Sequence, residues 1–301
     1  MAEVICPGLP ASWINAWLAA IGATVLDPRL RLHWTRGGTP QAVLSARGAD
    51  PVALLIESWP TRQLLEDMPI SVAWGETPAV KRKVPVDAFA ARVRAARGHR
   101  HAWTLSSTMT DLHVDSNGEV AHAPFDPAGP GTIKWLHHRL MKVHCEVEPT
   151  AERLLESLDG TAVRIRDNGL GFDLTRMGSQ SDDSGKFGKW VDPAVEVLAF
   201  FGLAILPLRG TGTDASLWKT SRSSAIQRGW HRPRNRGREL WFIWPAWGSP
   251  LDRAGIDALL DIWNRGRKNW PRVGVHAAWR SVRYEPKATA DTTRGFGAEP
   301  L

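Results

Sequence analysis

Apolar residues fill almost every position from Val195 to Leu206, so this stretch has no real polar face and predicts a helix covered on several sides by the rest of the fold. Asp192 suits the N-cap, Pro193 fits the first helical position, where its missing N–H costs nothing, and Glu196 sets negative charge near the positive helix end. Pro207 stops it. The expected architecture is α+β: helices and short antiparallel hairpins packed around a buried apolar helix over 192–206.

The same reading runs along the chain. Trp13, Ala16, Trp17 and Ala20 recur at helical spacing after Pro10 and Ser12, predicting an amphipathic first helix with Gly22 as its C-cap. Arg29–Thr35 and Gln41–Ala46, separated by R-G-G-T-P, read as a hairpin. Pro51–Trp59 and Arg62–Met68 read as helices that Pro60 breaks apart, and Asp87 caps another that carries Arg92, Arg94 and Arg97. Thr104–Asp111 and Glu119–Ala123 read as strands about the turn Ser116-Asn117-Gly118. Thr132–Cys145 and Thr150–Leu158 return to helical periodicity, the second closed by Gly160, and Val163–Arg166 reads as a short strand. Between Gly169 and Lys189 lies a long polar loop, of the length that is usually functional or mobile. Farther on, L-W-F-I-W reads as a strand ended by Pro245, Pro250–Trp263 as a helix capped by Ser249, and Val273–Tyr284 as a last strand.

Charge divides the chain where hydropathy does not. Residues 1–208 hold 21 Lys/Arg against 23 Asp/Glu, a net of −2, whereas residues 209–283 hold 15 against 5, a net of +10. The expected organisation follows this: a helical and hairpin body over 1–208, a basic, Trp-rich part over 209–285, and a disordered tail over 286–301. The run at 195–206 is too short to cross a bilayer of roughly 30 Å, so no membrane partner is expected. Cys6 and Cys145 make no disulfide framework, and a reducing, cytoplasmic location is the default expectation.

Basic residues gathered in the last third point to a polyanion. Arg222, Arg228, Trp230, Arg232, Arg234, Arg236 and Arg238, continued by Arg265, Arg267, Lys268, Trp270 and Arg272, combine groups that attract backbone phosphates with rings able to stack on unpaired bases. A solvated basic loop with core tryptophans is the plainer alternative. Lys81, Arg82 and Lys83, with the arginines of the Asp87 helix, would extend the surface. Asp111, His113 and Asp115 fall on one side of a strand and suit a divalent ion, as in a metal-dependent nuclease, but a polar hairpin face explains them more simply. His137, His138, His144 and Cys145 lack the H-E-x-x-H and C-x-x-C spacings of zinc sites. Neither a phosphate-loop nor a dinucleotide motif occurs, so no catalytic residue and no cofactor are expected.

Three stretches carry a family likeness: G-L-P-A-S-W-I-N-A-W-L-A-A-I-G-A from Gly8, F-D-P-A-G-P-G-T-I-K-W-L-H-H-R-L from Phe125, and W-V-D-P-A-V-E-V-L-A-F-F-G-L from Trp190. Together they resemble accessory, large-subunit-like proteins of type I-G (formerly I-U) CRISPR effector modules. The resemblance implies a non-catalytic subunit of an RNA-guided surveillance complex, with guide RNA, target DNA, other effector subunits and the helicase-nuclease as partners. Its motifs are structural, so it carries over no catalytic residue. A protein-interaction adaptor without nucleic-acid contact is the remaining alternative.

Overall fold

A computed structural model describes residues 1–66, 83–85, 109–114, 119–122, 133–167, 169, 190–205, 230–231, 241–263, 266–284 and 295–301. In chain order the elements are β1 (Ala2–Pro10), α1 (Ile14–Leu26), β2 (Arg31–Trp34), β3 (Gln41–Ala46), α2 (Pro51–Glu57), α3 (Arg62–Glu66), β4 (Lys83–Pro85), β5 (Met109–Val114) and β6 (Glu119–His122). There follow α4 (Ile133–His144), α5 (Ala151–Asp159), β7 (Ile165–Arg166), β8 (Trp190–Val191), α6 (Pro193–Gly202), β9 (Trp230–His231), β10 (Trp241–Trp247), α7 (Arg253–Ile262), β11 (Val275–Tyr284) and β12 (Gly295–Pro300). The class is α+β, as the hydrophobic pattern predicts.

Two antiparallel sheets dominate, ordered β1-β3-β2 and β12-β11-β10-β9, with smaller pairings β4-β6-β5 and β7-β8. Helix α6 begins as expected: Asp192 accepts from the Ala194 amide, Pro193 follows, and every residue of the helix is buried. Asp192 also accepts from Ser157 Oγ at 3.1 Å and from the Arg153 guanidinium at 3.4 Å, which ties the start of α6 to α5. Burial pushes its carboxyl up, against the pull of Arg153, Ser157 and the backbone amide. Glu196 is fully buried too, its carboxylate packed where a side chain on Gly169 would sit.

The first helix departs from the amphipathic expectation. Twelve of the thirteen residues of α1 are buried, because the first sheet, α6 and the C-terminal elements close round it. Gly22 is not its C-cap, for the helix runs on to Leu26 and Asp27 ends it. Instead Gly22 and Gly202 let two backbones touch: a methyl group on Gly22 would lie 1.8 Å from the Leu198 carbonyl oxygen, and one on Gly202 would lie 2.0 Å from that of Leu18.

The hairpin β2–β3 forms as predicted, but its sheet gains β1, which the sequence reading passes over. Pro7, Gly8 and Pro10 disguise this strand, and a register shift between Cys6 and Pro10 accommodates them. Pro245 lies inside β10 rather than ending it. It pairs opposite Ala278, whose carbonyl accepts from Leu301 on the far side, so the proline nitrogen points away from β11 and the ladder loses no donor. Asp252, not Ser249, caps α7, accepting from the Gly255 amide at 2.8 Å. The expected disordered tail is corrected at its end, where β12 pairs with β11 from Tyr284↔Gly295 to Trp279↔Pro300.

The charge boundary near residue 208 is no break in the core. Buried residues from Cys6 to Trp279 form one cluster. Three indole N–H groups cross between the two sheets' regions: Trp17 to the Pro245 carbonyl at 2.9 Å, Trp244 to Ala11 at 2.7 Å and Trp247 to Leu32 at 2.9 Å. Reciprocal backbone bonds between Leu32 and Leu251 add to the join. Among the described residues no helix is long and apolar enough to cross a membrane.

Asp27, at the end of α1, shows how local charge supports this body. Its buried carboxylate accepts from the Arg29 side chain and amide and from Ser58 Oγ. Desolvation pushes it up, but these bonds together outweigh that and hold it below its ordinary value of 3.8. A depressed carboxylate stabilises the fold above its unfolded value and loses that contribution as pH falls through the folded one. The expected result is an acid-induced fall in the melting temperature below pH 3.8 that is shallower in Asp27→Asn, measured by thermal melts across an acid series.

Candidate nucleic-acid interface

A tight turn between α7 and β11 carries three of the basic residues singled out in the sequence, Arg267, Lys268 and Arg272. The 3₁₀ turn Arg267–Val273 is held down by Trp270, 7% exposed, whose ring lies 6.3 Å from that of buried Trp263. Gly274, at φ 72°, turns the chain out of it into β11, and its carbonyl accepts from the Gly248 amide at 3.0 Å. That leaves Arg267, Lys268 and Arg272 exposed on one short turn, without an ion pair among the described residues. The Arg267 guanidinium carbon stands 5.8 Å from the centroid of the Trp270 ring, a cation–π geometry that steadies the cation while leaving it solvent-facing.

Arg36, exposed in the β2–β3 loop, adds a cation at the base of this turn. Its guanidinium packs near Gly248 and near the His276 ring. Burial, with a smaller push from the Arg36 charge, holds the imidazole of His276 below its ordinary value, outweighing the opposing backbone bonds to Trp34 and Trp247. His276 is therefore neutral at pH 7, and the positive character here belongs to arginine and lysine. Not every arginine contributes. Arg280 is paired with Glu299 of β12, its Nε donating at 2.9 Å, so the end strand cancels charge on β11.

Of the basic and aromatic residues singled out in the sequence, Arg267, Lys268 and Arg272 are thus brought together on one turn and exposed. Trp230 lies on β9, paired opposite Phe242. Arg222, Arg228, Arg232, Arg234, Arg236, Arg238 and Arg265 lie outside the described residues, as do Lys81, Arg82, the helix expected from Asp87 and residues 170–189. Asp111 and His113 fall on β5, while Asp115 lies outside the described residues. Arg36 was missed, although R-G-G-T-P between two strands marks it as a loop-tip cation.

Base stacking is the weaker half of the sequence expectation. Trp17, Trp34, Trp59, Trp244, Trp247, Trp263, Trp270 and Trp279 are all buried and fill the core, and Trp190, 44% exposed, lies on β8. The described surface of this turn therefore presents exposed cations in place of a stacking platform. His144 bonds the Pro60 carbonyl at 2.7 Å, and exposed Cys145 accepts from Arg62 at 3.4 Å, so both tie the end of α4 to the α2–α3 region. Cys6 is buried, and desolvation pushes its thiol up to about 12. No protein-family model matches the chain, and neither a curated protein nor a solved structure is significantly similar to it.

Proposed function

We propose that this chain binds nucleic acid through its basic C-terminal third and does so as a non-catalytic subunit. The observation that carries the reading is the exposed turn Arg267–Arg272, which holds three cations without carboxylate partners among the described residues, with Arg36 packed at Gly248, whose amide bonds the Gly274 carbonyl at the end of the turn. Such a patch neutralises phosphates whatever the base sequence, with counterion release as the driving force. Its setting, by the resemblance in the three quoted stretches, is a type I CRISPR surveillance complex in which guide RNA pairs with target DNA. There the protein neutralises the backbone and offers a dock to the helicase-nuclease.

The test is anisotropy of a labelled single strand and a labelled duplex across a salt series. The triple variant Arg267→Ala, Lys268→Ala, Arg272→Ala is expected to lower the slope of log K against log salt by roughly 2–3, with affinity at low salt falling about tenfold or more. An unchanged slope and affinity would reject the interface. The oligonucleotide should stay intact with Mg²⁺ or Mn²⁺ present, and cleavage would instead favour the nuclease reading. Co-purification with a guide RNA tests the CRISPR setting separately.

A further inference from the structure

A second surface has the opposite sign. On α5, Glu152, Leu155, Glu156 and Asp159 occupy positions i, i+3, i+4 and i+7, a single stripe of the helix, while Leu154 and Leu158 turn into the core. The stripe faces Val4 and Ile5 of β1 across a groove of about 680 Å³. Strand β1 is an edge of its sheet, with β3 on one side only. Two large apolar side chains stand in the open here, Ile5 at 56% and Leu155 at 44% exposure.

The rim is acidic and mutually repulsive. Glu152 and Asp159 are exposed and make no ion pair among the described residues, and Glu156 has only a 4.0 Å contact with Arg153. Glu152 and Glu156 stand at i and i+4, a like-charge spacing that costs an isolated helix a few tenths of a kcal/mol. A bound cation would relieve that repulsion, whereas a polyanion would meet it at full strength. Exposed apolar groups gathered in a concavity and rimmed by one charge mark a recognition surface.

We propose that the groove between β1 and α5 docks a short segment of a partner protein that combines Lys or Arg with Ile, Val or Leu. Its apolar side chains cover Ile5 and Leu155, and its cations meet Glu152, Glu156 and Asp159. This site is independent of the nucleic-acid interface, and the two would let one subunit hold a polyanion and a basic protein at once.

The probe is a fluorescein-labelled peptide of about ten residues alternating Lys with Val and Ile, titrated against the full chain, with a Glu-for-Lys peptide as its control. Saturable binding of the Lys peptide alone is expected. It should weaken about tenfold in Glu152→Gln/Asp159→Asn, which corresponds to about 1.4 kcal/mol. It should weaken likewise in Leu155→Ser and persist in the Arg267→Ala, Lys268→Ala, Arg272→Ala variant, so that failure of either surface is seen separately. Melting curves confirm that each variant is folded, and the two rim positions are exposed enough to tolerate the change. Equal binding by wild type and Glu152→Gln/Asp159→Asn, or no saturation up to about 1 mM peptide, overturns the proposal. A dimer of the chain that the same variant dissolves also overturns it, by assigning the groove to a second copy.

Discussion

Alanine at Gly202 is expected to lower the melting temperature by roughly 6–9 °C, about 3 kcal/mol of overpacking at the 2–3 °C per kcal/mol of a chain this long. On an unconstrained helix the same change stabilises by about 1 kcal/mol, so the sign of the shift identifies the cause. The methyl group would stand 2.0 Å from the Leu18 carbonyl oxygen, a backbone atom that no rotamer change moves aside. Helices α1 and α6 must therefore separate, and both are buried along nearly their whole length. Gly22→Ala meets the Leu198 carbonyl at 1.8 Å and should behave alike. Because one separation relieves both clashes, the double variant should lose less than the two single losses combined. A Gly202→Ala protein that melts at or above the wild-type temperature would show that the helices do not cross in this way.

Trp17→Ala should cost about 3–5 kcal/mol, the usual range for removing a buried aromatic side chain, out of the 5–15 kcal/mol that stabilises a typical fold. Trp17 is fully buried, lies edge-on to Phe242 at 6.1 Å and donates to the Pro245 carbonyl. Its partners therefore belong to β10, over 200 residues along the chain. Trp17→Phe isolates the polar part: it keeps an aromatic ring but strands the Pro245 carbonyl, a loss of about 1–3 kcal/mol. The informative readout is the shape of the denaturant curve. One core predicts one transition, displaced as a whole and seen alike by tryptophan fluorescence and far-ultraviolet circular dichroism. Two transitions, of which Trp17→Ala moves only one, would mean that the charge boundary near residue 208 also divides the fold.

Most of the tryptophans whose burial is described lie in the core. Trp17, Trp244 and Trp247 each donate a buried N–H to a backbone carbonyl far away in sequence, whereas those of Trp34, Trp59 and Trp263 meet no acceptor among the described residues. Composition shows the rings but not their partners. Basic residues behave in the same way. Arg280 and Arg267 look equivalent in the chain, yet Glu299 neutralises the first, while the second rests beside Trp270 facing solvent.

What the amino-acid order determined by itself was local. Asp192 with Pro193 starts one helix, Pro51 another, and Gly160 closes a third, through hydrogen bonds and backbone angles that involve only near neighbours, and those helices begin or end where the sequence places them. The turn-rich R-G-G-T-P between two short strand candidates placed the hairpin β2–β3 for the same reason. Tertiary structure alone decided the rest. It made Gly22 a contact point instead of a cap, gave β1 and β12 the strand partners that supply their hydrogen bonds, and set Val4 and Ile5 opposite the acidic stripe of α5. Each depends on groups brought together from distant parts of the chain, where the energy of packing and pairing outweighs any local preference.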